Sequence, residues 1–207
     1  MNKVRIIGGE LRSRMISFPD AEGLRPTPDR VRETLFNWLG QTLYGRTCLD
    51  LFAGSGALGL EAASRGAEQV VMVETNPAAL HALRDNVNKL GCAKVFVQGQ
   101  DGLEFASRDT QRYDVIFLDP PFQSDYLPKL LEILPQRLNE NGVVYVESGS
   151  AIDVPPPWLV TKSGKAGQVH YQLLQVTACS IRERSRKPRC SCCANRFVVG
   201  FTVGAVK

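Results

Sequence analysis

The residues best equipped for chemistry in this 207-residue chain are Asp119-Pro120-Pro121-Phe122, which directly follow the apolar run Val115-Ile116-Phe117-Leu118. The run reads as a buried strand, and two prolines forbid its continuation, so its carboxyl end presents a carboxylate and a rigid backbone corner to solvent. An exocyclic amine on a nucleobase has its lone pair drawn into the ring. A catalyst acting on it must accept its N–H hydrogens and aim the nitrogen at an electrophilic carbon. Asp119 and the Pro120 carbonyl are candidate acceptors, and Phe122 offers a face for the base to stack on, worth roughly 1–3 kcal/mol. Standing alone, the tetrapeptide also reads as an ordinary strand ending in a Pro-Pro turn with a core Phe.

Some sixty residues upstream, Cys48 to Glu61 reads as a strand, a glycine turn and the start of a helix. Gly54, Gly56 and Gly59 satisfy the dinucleotide fingerprint G-x-G-x-x-G. Glu74 ends the next apolar run where a ribose-binding acid belongs. That pattern by itself suggests a nicotinamide dinucleotide. Asp50 precedes the glycines, however, and a carboxylate there suits a ligand with an ammonium better than one with a pyrophosphate. S-adenosylmethionine has an ammonium, a ribose and an adenine, and no phosphate that needs a helix N-terminus.

The stretch from Arg5 to about Gln175 resembles the RsmD family, bacterial methyltransferases of the N2 amine of a guanine in small-subunit ribosomal RNA. Three blocks carry the resemblance: Arg5-Ile6-Ile7-Gly8-Gly9 together with Leu24 to Leu39; Leu49 to Glu61; and Asp119 to Phe122. The first discriminates, because the other two are shared by many amino-methyltransferases. The resemblance implies an α/β fold with a doubly wound, mostly parallel seven-stranded sheet, the Rossmann-like class I methyltransferase fold, extended by an N-terminal hairpin and helix. It implies S-adenosylmethionine as cofactor, held by Asp50, Phe52, Gly54, Gly56, Glu74 and Thr27. Catalysis falls to Asp119, Pro120 and Phe122 by direct transfer, with no metal. The RNA would meet Arg5, Arg12, Arg14, Arg25, Arg30 and Phe122.

One segment departs from the family pattern. After the third core strand comes Gln98-Gly99-Gln100-Asp101-Gly102, where relatives place an Asp or Asn on the adenine amine. Alignment on Gly99 gives that contact to Gln100, whose carbonyl oxygen can still accept an N–H. A one-residue shift gives it to Asp101, which equally suits the cap of the following helix.

Net charge is +4, and its placement matters more than its sum. Residues 176–207 hold seven Lys/Arg against one acid, whereas the rest holds 18 against 20. Lys3, Arg5, Arg12 and Arg14 face Glu10 alone, a local basic arm of the kind that phosphate contact requires. Three regions follow: 1–46, an RNA-contacting hairpin and helix; 47–176, the methyltransferase domain; and 177–207, a basic tail with four of the six cysteines, Cys179, Cys190, Cys192 and Cys193. No second Cys pair or His partner completes a zinc pattern there. No apolar segment has the length of a signal peptide or membrane span, so the expected location is the cytoplasm; the sequence is silent on oligomeric state, and a monomer is the default.

Periodicity places the elements. A hairpin is expected over 4–18, turning at Gly8-Gly9-Glu10. Thr27 is expected to cap a helix that has Pro28 at its first position and Val31, Leu35, Trp38 and Leu39 as its apolar stripe. The core strands are expected near 47–52, 69–74, 93–98, 113–119 and 143–147, with an antiparallel pair at 158–161 and 169–176. Asn76 and Pro77 open a helix buried through Leu80, Leu83, Val87 and Leu90 and closed by Gly91. Two other functions fit parts of the chain: an amino-methyltransferase for another acceptor, such as adenine N6 in DNA or another RNA guanine, and a non-catalytic RNA-binding assembly factor. A nucleotide oxidoreductase fits less well, because no residue stands out as a hydride-transfer base.

Overall fold

The computed structural model describes residues 1–20, 24, 26–121, 124–150 and 152–177. Its centre is a seven-stranded sheet in the order β5-β4-β3-β6-β7-β9-β8. These strands are β3 (Thr47–Asp50), β4 (Gln69–Val73), β5 (Val95–Gln98), β6 (Tyr113–Leu118), β7 (Leu138–Ser148), β8 (Trp158–Ala166) and β9 (Val169–Val176). β5, β4, β3, β6 and β7 run parallel, and β9 lies antiparallel between β7 and β8. This is the doubly wound parallel arrangement expected from the alternating strand and helix patterns, in the seven-stranded, Rossmann-like class I form that the resemblance implies.

Two apolar clusters cover the two faces. One joins Leu35, Phe36, Leu60 and Leu83 to Phe117, Tyr145 and Tyr171. These side chains come from α1 (Asp29–Leu39), α2 (Ala57–Ser64) and α3 (Pro77–Leu90) together with the sheet. The other packs Leu130, Leu131 and Ala106 on Ile116, Leu118 and Val144, with α4 (Gly102–Arg108) and α5 (Tyr126–Ile133) as its cover. Strands buried on both faces read as continuous apolar runs, which is why β4 and β6 are conspicuous in the sequence.

The N-terminal hairpin pairs β1 (Asn2–Arg5) with β2 (Met15–Phe18), starting two residues earlier than expected. It is bolted on from below. Glu61, fully buried on α2, accepts the Ile7 and Gly8 amides, each at 2.8 Å, and the guanidinium groups of Arg32 and Arg65. Asn86 on α3 exchanges two hydrogen bonds with the Ser17 backbone. That clamp corrects the expected stripe of α3. The buried residues are Ala79, Ala82, Leu83 and Asn86, while Leu80, Val87 and Leu90 are half-buried, because two alanines let β2 approach closely enough for Asn86 to reach it.

Asn76 caps α3 with Pro77 behind it, as expected, and the left-handed Gly91 closes it. Thr27 does not cap α1. The capping position is Pro28, no side chain bonds the helix start, and the Thr27 hydroxyl is used elsewhere. β7 begins five residues before the expected 143, since Asn139-Glu140-Asn141-Gly142 looks like a turn yet leads into the sheet through a left-handed Asn141 and an irregular register opposite Tyr113. Cys48 is buried and Cys92 half-buried, both as free thiols. Among the described residues no helix is long and apolar enough to cross a membrane. Chain contacts divide the molecule into a unit Met1–Val176 and a unit Thr177–Lys207. The tail cysteines Cys179, Cys190, Cys192 and Cys193 lie outside the described residues, as do Arg25 and Phe122.

Candidate active site

Strand order reverses between β3 and β6, and ligands of open α/β sheets bind beyond the carboxyl ends of the strands at such a switch point. Asp50 ends β3 there, paired in register with Phe117 two residues before Asp119. The glycine turn follows. Gly54 and Gly56 have φ of +51° and +80°, a region that side chains disfavour. The Gly54 amide donates to Glu74 Oε2 at 2.7 Å, and Asn76 donates to Glu74 Oε1, so both carboxylate oxygens are aimed by backbone. Gly59 is required by space: a Cβ there would lie 2.6 Å from the Met72 sulfur, and its amide donates to Asp50 Oδ2 at 3.0 Å. Burial, opposed by that amide and reinforced by Glu74, lifts the Asp50 carboxyl from 3.8 to about 7.

Asp119 follows the last residue of β6, half-buried, and Pro120 is buried behind it. Ser124 donates from both its amide and its hydroxyl to the Pro121 carbonyl, which closes the turn. Among the described residues nothing donates a hydrogen bond to the Asp119 carboxylate, which is therefore open to a ligand. Burial first, then the nearby Glu147 and Asp50 carboxylates, raise its proton affinity well above the ordinary carboxylate range.

Glu147 is the residue that sequence reasoning missed. The register Phe117↔Tyr145, Leu118↔Val146 carries on to set Glu147 beside Asp119 at the carboxyl end of the neighbouring strand. It is only 4% exposed. Its Oε1 accepts the Thr27 hydroxyl at 2.8 Å and the Tyr145 hydroxyl at 3.0 Å. Thr27 thus ties the segment before α1 to the lip of the sheet, while Leu24 lies over the glycine turn. A signal existed: Glu147 terminates an apolar strand just as Asp119 does, but it lacks the prolines that mark the latter.

On the other side of the switch point, Asp101 caps α4 through the Glu104 amide at 2.9 Å and takes the Tyr126 hydroxyl at 2.5 Å. Burial works against these bonds, yet the Tyr126 hydroxyl and the backbone amides outweigh it and hold the carboxyl below its ordinary range. Gln100 is half-buried, and its side chain makes no hydrogen bond among the described residues, so it is the freer of the two to meet a ligand. Phe52 and Tyr126 stand edge to face with centroids 5.2 Å apart, forming an apolar wall beside them. Tyr126 also escaped the sequence analysis, since nothing in its surroundings marks it as more than a helix start.

The basic residues divide. Lys3 and Arg5 line a cavity of about 540 Å³ with Met15, Pro26, Thr27 and Asp29, next to the crevice. Arg12 lines a separate cavity at the hairpin tip with Tyr44 and Arg65. Arg14 and Arg30 are exposed. Arg32 is wholly internal: it bonds the carbonyls of Arg5 and Thr27 and the carboxylates of Asp29 and Glu61. It braces α1 and the hairpin and is closed to substrate. Among the described residues no group of His, Cys, Asp and Glu is arranged to hold a metal ion.

The family model described as Conserved hypothetical protein 95 matches residues 4–175. The Escherichia coli (strain K12) protein named Ribosomal RNA small subunit methyltransferase D is 40% identical over 178 residues, 84% of this chain and 90% of that one. Its namesake in Haemophilus influenzae is 39% identical over 181 residues, covering 84% and 94%. A solved structure of the Escherichia coli protein yhhF superposes with a TM-score of 0.78 at 40% identity, over 86% of this chain and 99% of that one.

Proposed function

The chain belongs to the RsmD family of ribosomal RNA small subunit methyltransferases, and from that membership we propose that it methylates the exocyclic N2 amine of a guanine in 16S ribosomal RNA. The enzyme is a methyltransferase and its cofactor is S-adenosylmethionine. The crevice fits that cofactor on chemical grounds. Asp50, Glu74, Asp119 and Glu147 gather at the carboxyl ends of four strands; burial raises Asp50, Asp119 and Glu147 above their ordinary ranges, and repulsion from neighbouring carboxylates adds to it at Asp50 and Asp119. A ligand with a sulfonium and an ammonium relieves that repulsion, whereas a pyrophosphate would add to it.

When bound, the cofactor supplies a methyl group already activated on a positive sulfur. The chain's own task is therefore position and electrostatics rather than covalent catalysis. Asp50 would hold the ammonium, Glu74 the ribose hydroxyls, and Gln100, with Phe52 and Tyr126 alongside, the adenine. Asp119 and the Pro120 carbonyl accept the two N–H hydrogens of the target amine and leave its lone pair directed at the methyl. As positive charge grows on nitrogen, Asp119 stabilises it and can take the proton released. A paired guanine must first leave its stack, and Phe122 gives it a surface. Lys3, Arg5 and Arg30 hold flanking phosphates, with Arg12 and Arg14 contacting RNA further along the hairpin. The protein acts as a monomer in the cytoplasm, on RNA within a small-subunit particle.

The observation that carries this reading is the open, half-buried Asp119 carboxylate between Asp50 and Glu147 at the switch point. The test is transfer of labelled methyl from S-adenosylmethionine to unmethylated small-subunit particles and to naked ribosomal RNA, followed by digestion to nucleosides. Label in N2-methylguanosine, lost in Asp119→Ala while cofactor binding persists, is expected. Label in another nucleoside would overturn the acceptor; full activity of Asp119→Ala would overturn the site.

A further inference from the structure

We propose that Glu147 reads the guanine itself, its Oε2 accepting the ring N1–H while Asp119 accepts the neighbouring N2–H. This rests on the guanine N2 reading above and adds to it the group that distinguishes guanine from the other amine-bearing bases.

The chemistry of the bases sets the problem. In guanine the amine lies beside a ring N–H, so the edge next to it donates twice. In adenine and cytosine the amine lies beside a ring nitrogen with a lone pair, so the same edge donates and then accepts. A lone carboxylate can take an amine hydrogen from any of the three. A second acceptor fixed beside the first suits guanine only, because it sets lone pair against lone pair with adenine or cytosine.

The structure supplies such an acceptor. Asp119 and Glu147 follow Leu118 and Val146, a paired position of β6 and β7, so both side chains leave the sheet on the face that already carries Phe117 and Tyr145. The Phe117↔Tyr145 and Leu118↔Val146 pairing brings the two carboxylates out at matching positions on adjacent strands, and Glu147 is the neighbouring charge that most raises the proton affinity of Asp119. Oε1 of Glu147 is committed to the Thr27 and Tyr145 hydroxyls. Both hydroxyls favour the ionised carboxylate, hold it in one rotamer and leave Oε2 to face away from them. Among the described residues Oε2 receives no hydrogen bond, yet it is not sealed from solvent: the one buried side-chain atom without a partner is Gln172 Oε1. A carboxylate that is 96% covered, anchored through one oxygen and vacant at the other, beside the residue that holds the reacting amine, is built to accept a single further donor. The loss of a hydrogen bond to a charged group corresponds to roughly ten- to a hundredfold in rate.

2-Aminopurine isolates the contact. It keeps the 2-amine but presents a lone pair at N1. Small-subunit particles are reconstituted on RNA ligated to carry guanosine or 2-aminopurine riboside at the methylated position, and kcat/KM is measured for the wild type and for Glu147→Gln. The isosteric amide keeps an acceptor for Thr27 and Tyr145. The wild type is expected to prefer guanosine by about ten- to a hundredfold, and Glu147→Gln, whose amide N–H then faces N1, to abolish or invert that preference through loss on guanosine. Equal use of both RNAs by the wild type would overturn the proposal, and so would a guanosine preference that survives in Glu147→Gln. Should that variant not fold, Glu147→Asp, which withdraws the oxygen, is expected to narrow the preference, and an unchanged ratio there would equally overturn it. Failure of the wild type to form N2-methylguanosine at all would instead overturn the parent reading.

Discussion

A buried carboxylate is costly when it is charged, and at Asp50 that cost becomes a measurable linkage. Its carboxyl is ordinary at 3.8 in the unfolded chain and about 7 in the fold. Below both values it is neutral in either state and costs nothing. As pH rises from about 4 toward 7 the unfolded chain releases the proton first, so the stability conferred by the protonated form is progressively lost. Asp119 and Glu147 shift the same way and steepen the effect. Asp50→Asn should flatten this dependence in part and raise stability in urea at pH 8 by a ceiling of about 4 kcal/mol. An unchanged difference between pH 5 and pH 8 in the variant would refute the assignment. A cationic cofactor pulls the other way: it favours ionised Asp50, so its affinity should rise from pH 6 to pH 8 with proton release visible by calorimetry in buffers of different ionisation enthalpy. The variant should bind it more weakly at both.

At the scale of elements, the crevice depends on a clamp that performs no chemistry. Glu61 gathers the two hairpin amides, Arg32 from α1 and Arg65 within its own helix, all beneath the site. Arg32 in turn holds the Thr27 carbonyl, and Thr27 holds Glu147. Removing Glu61 leaves the buried Arg32 short of a partner and two amides unsatisfied, a loss of about 3–5 kcal/mol. Glu61→Ala should therefore lower the unfolding free energy by that amount and speed hydrogen exchange at Ile7 and Gly8; a change below about 1 kcal/mol would show the clamp to be dispensable. None of this was legible in the sequence, although Glu61 closed one of its diagnostic blocks. Motif reading found Asp119 because prolines flag it and Asp50 because glycines flag it. Glu61, Arg32 and Tyr126 are identified only by what folds against them, and Glu147 only by a strand-end position that no proline marks. Thr27 shows the same limit: its local neighbours suggest a helix cap, and a strand end 120 residues away claims its hydroxyl.

The whole chain combines an acidic catalytic body with a basic tail, and that division suggests separable roles. The strands and helices of the body were legible because parallel strands, buried on both faces, alternate with helices whose caps are explicit, as at Asn76 and Gly91. The tail offers composition alone: seven Lys/Arg and one acid over residues 176–207. Met1–Val176 is a compact unit in its own right and contains every residue assigned above to cofactor and amine. A chain ending at Thr177 should therefore unfold at the same urea concentration as the full protein and bind S-adenosylmethionine equally well. Its affinity for RNA should fall, because counterion release scales with the number of phosphates neutralised. The slope of log affinity against log salt should shrink by at most about 5, the limit set by seven cations at roughly 0.7 each on single strands. At saturating RNA the rate of transfer should be unchanged, since phosphate contacts position the substrate while the crevice selects the base. Loss of cofactor binding on truncation would contradict the division and make the tail part of the catalytic unit.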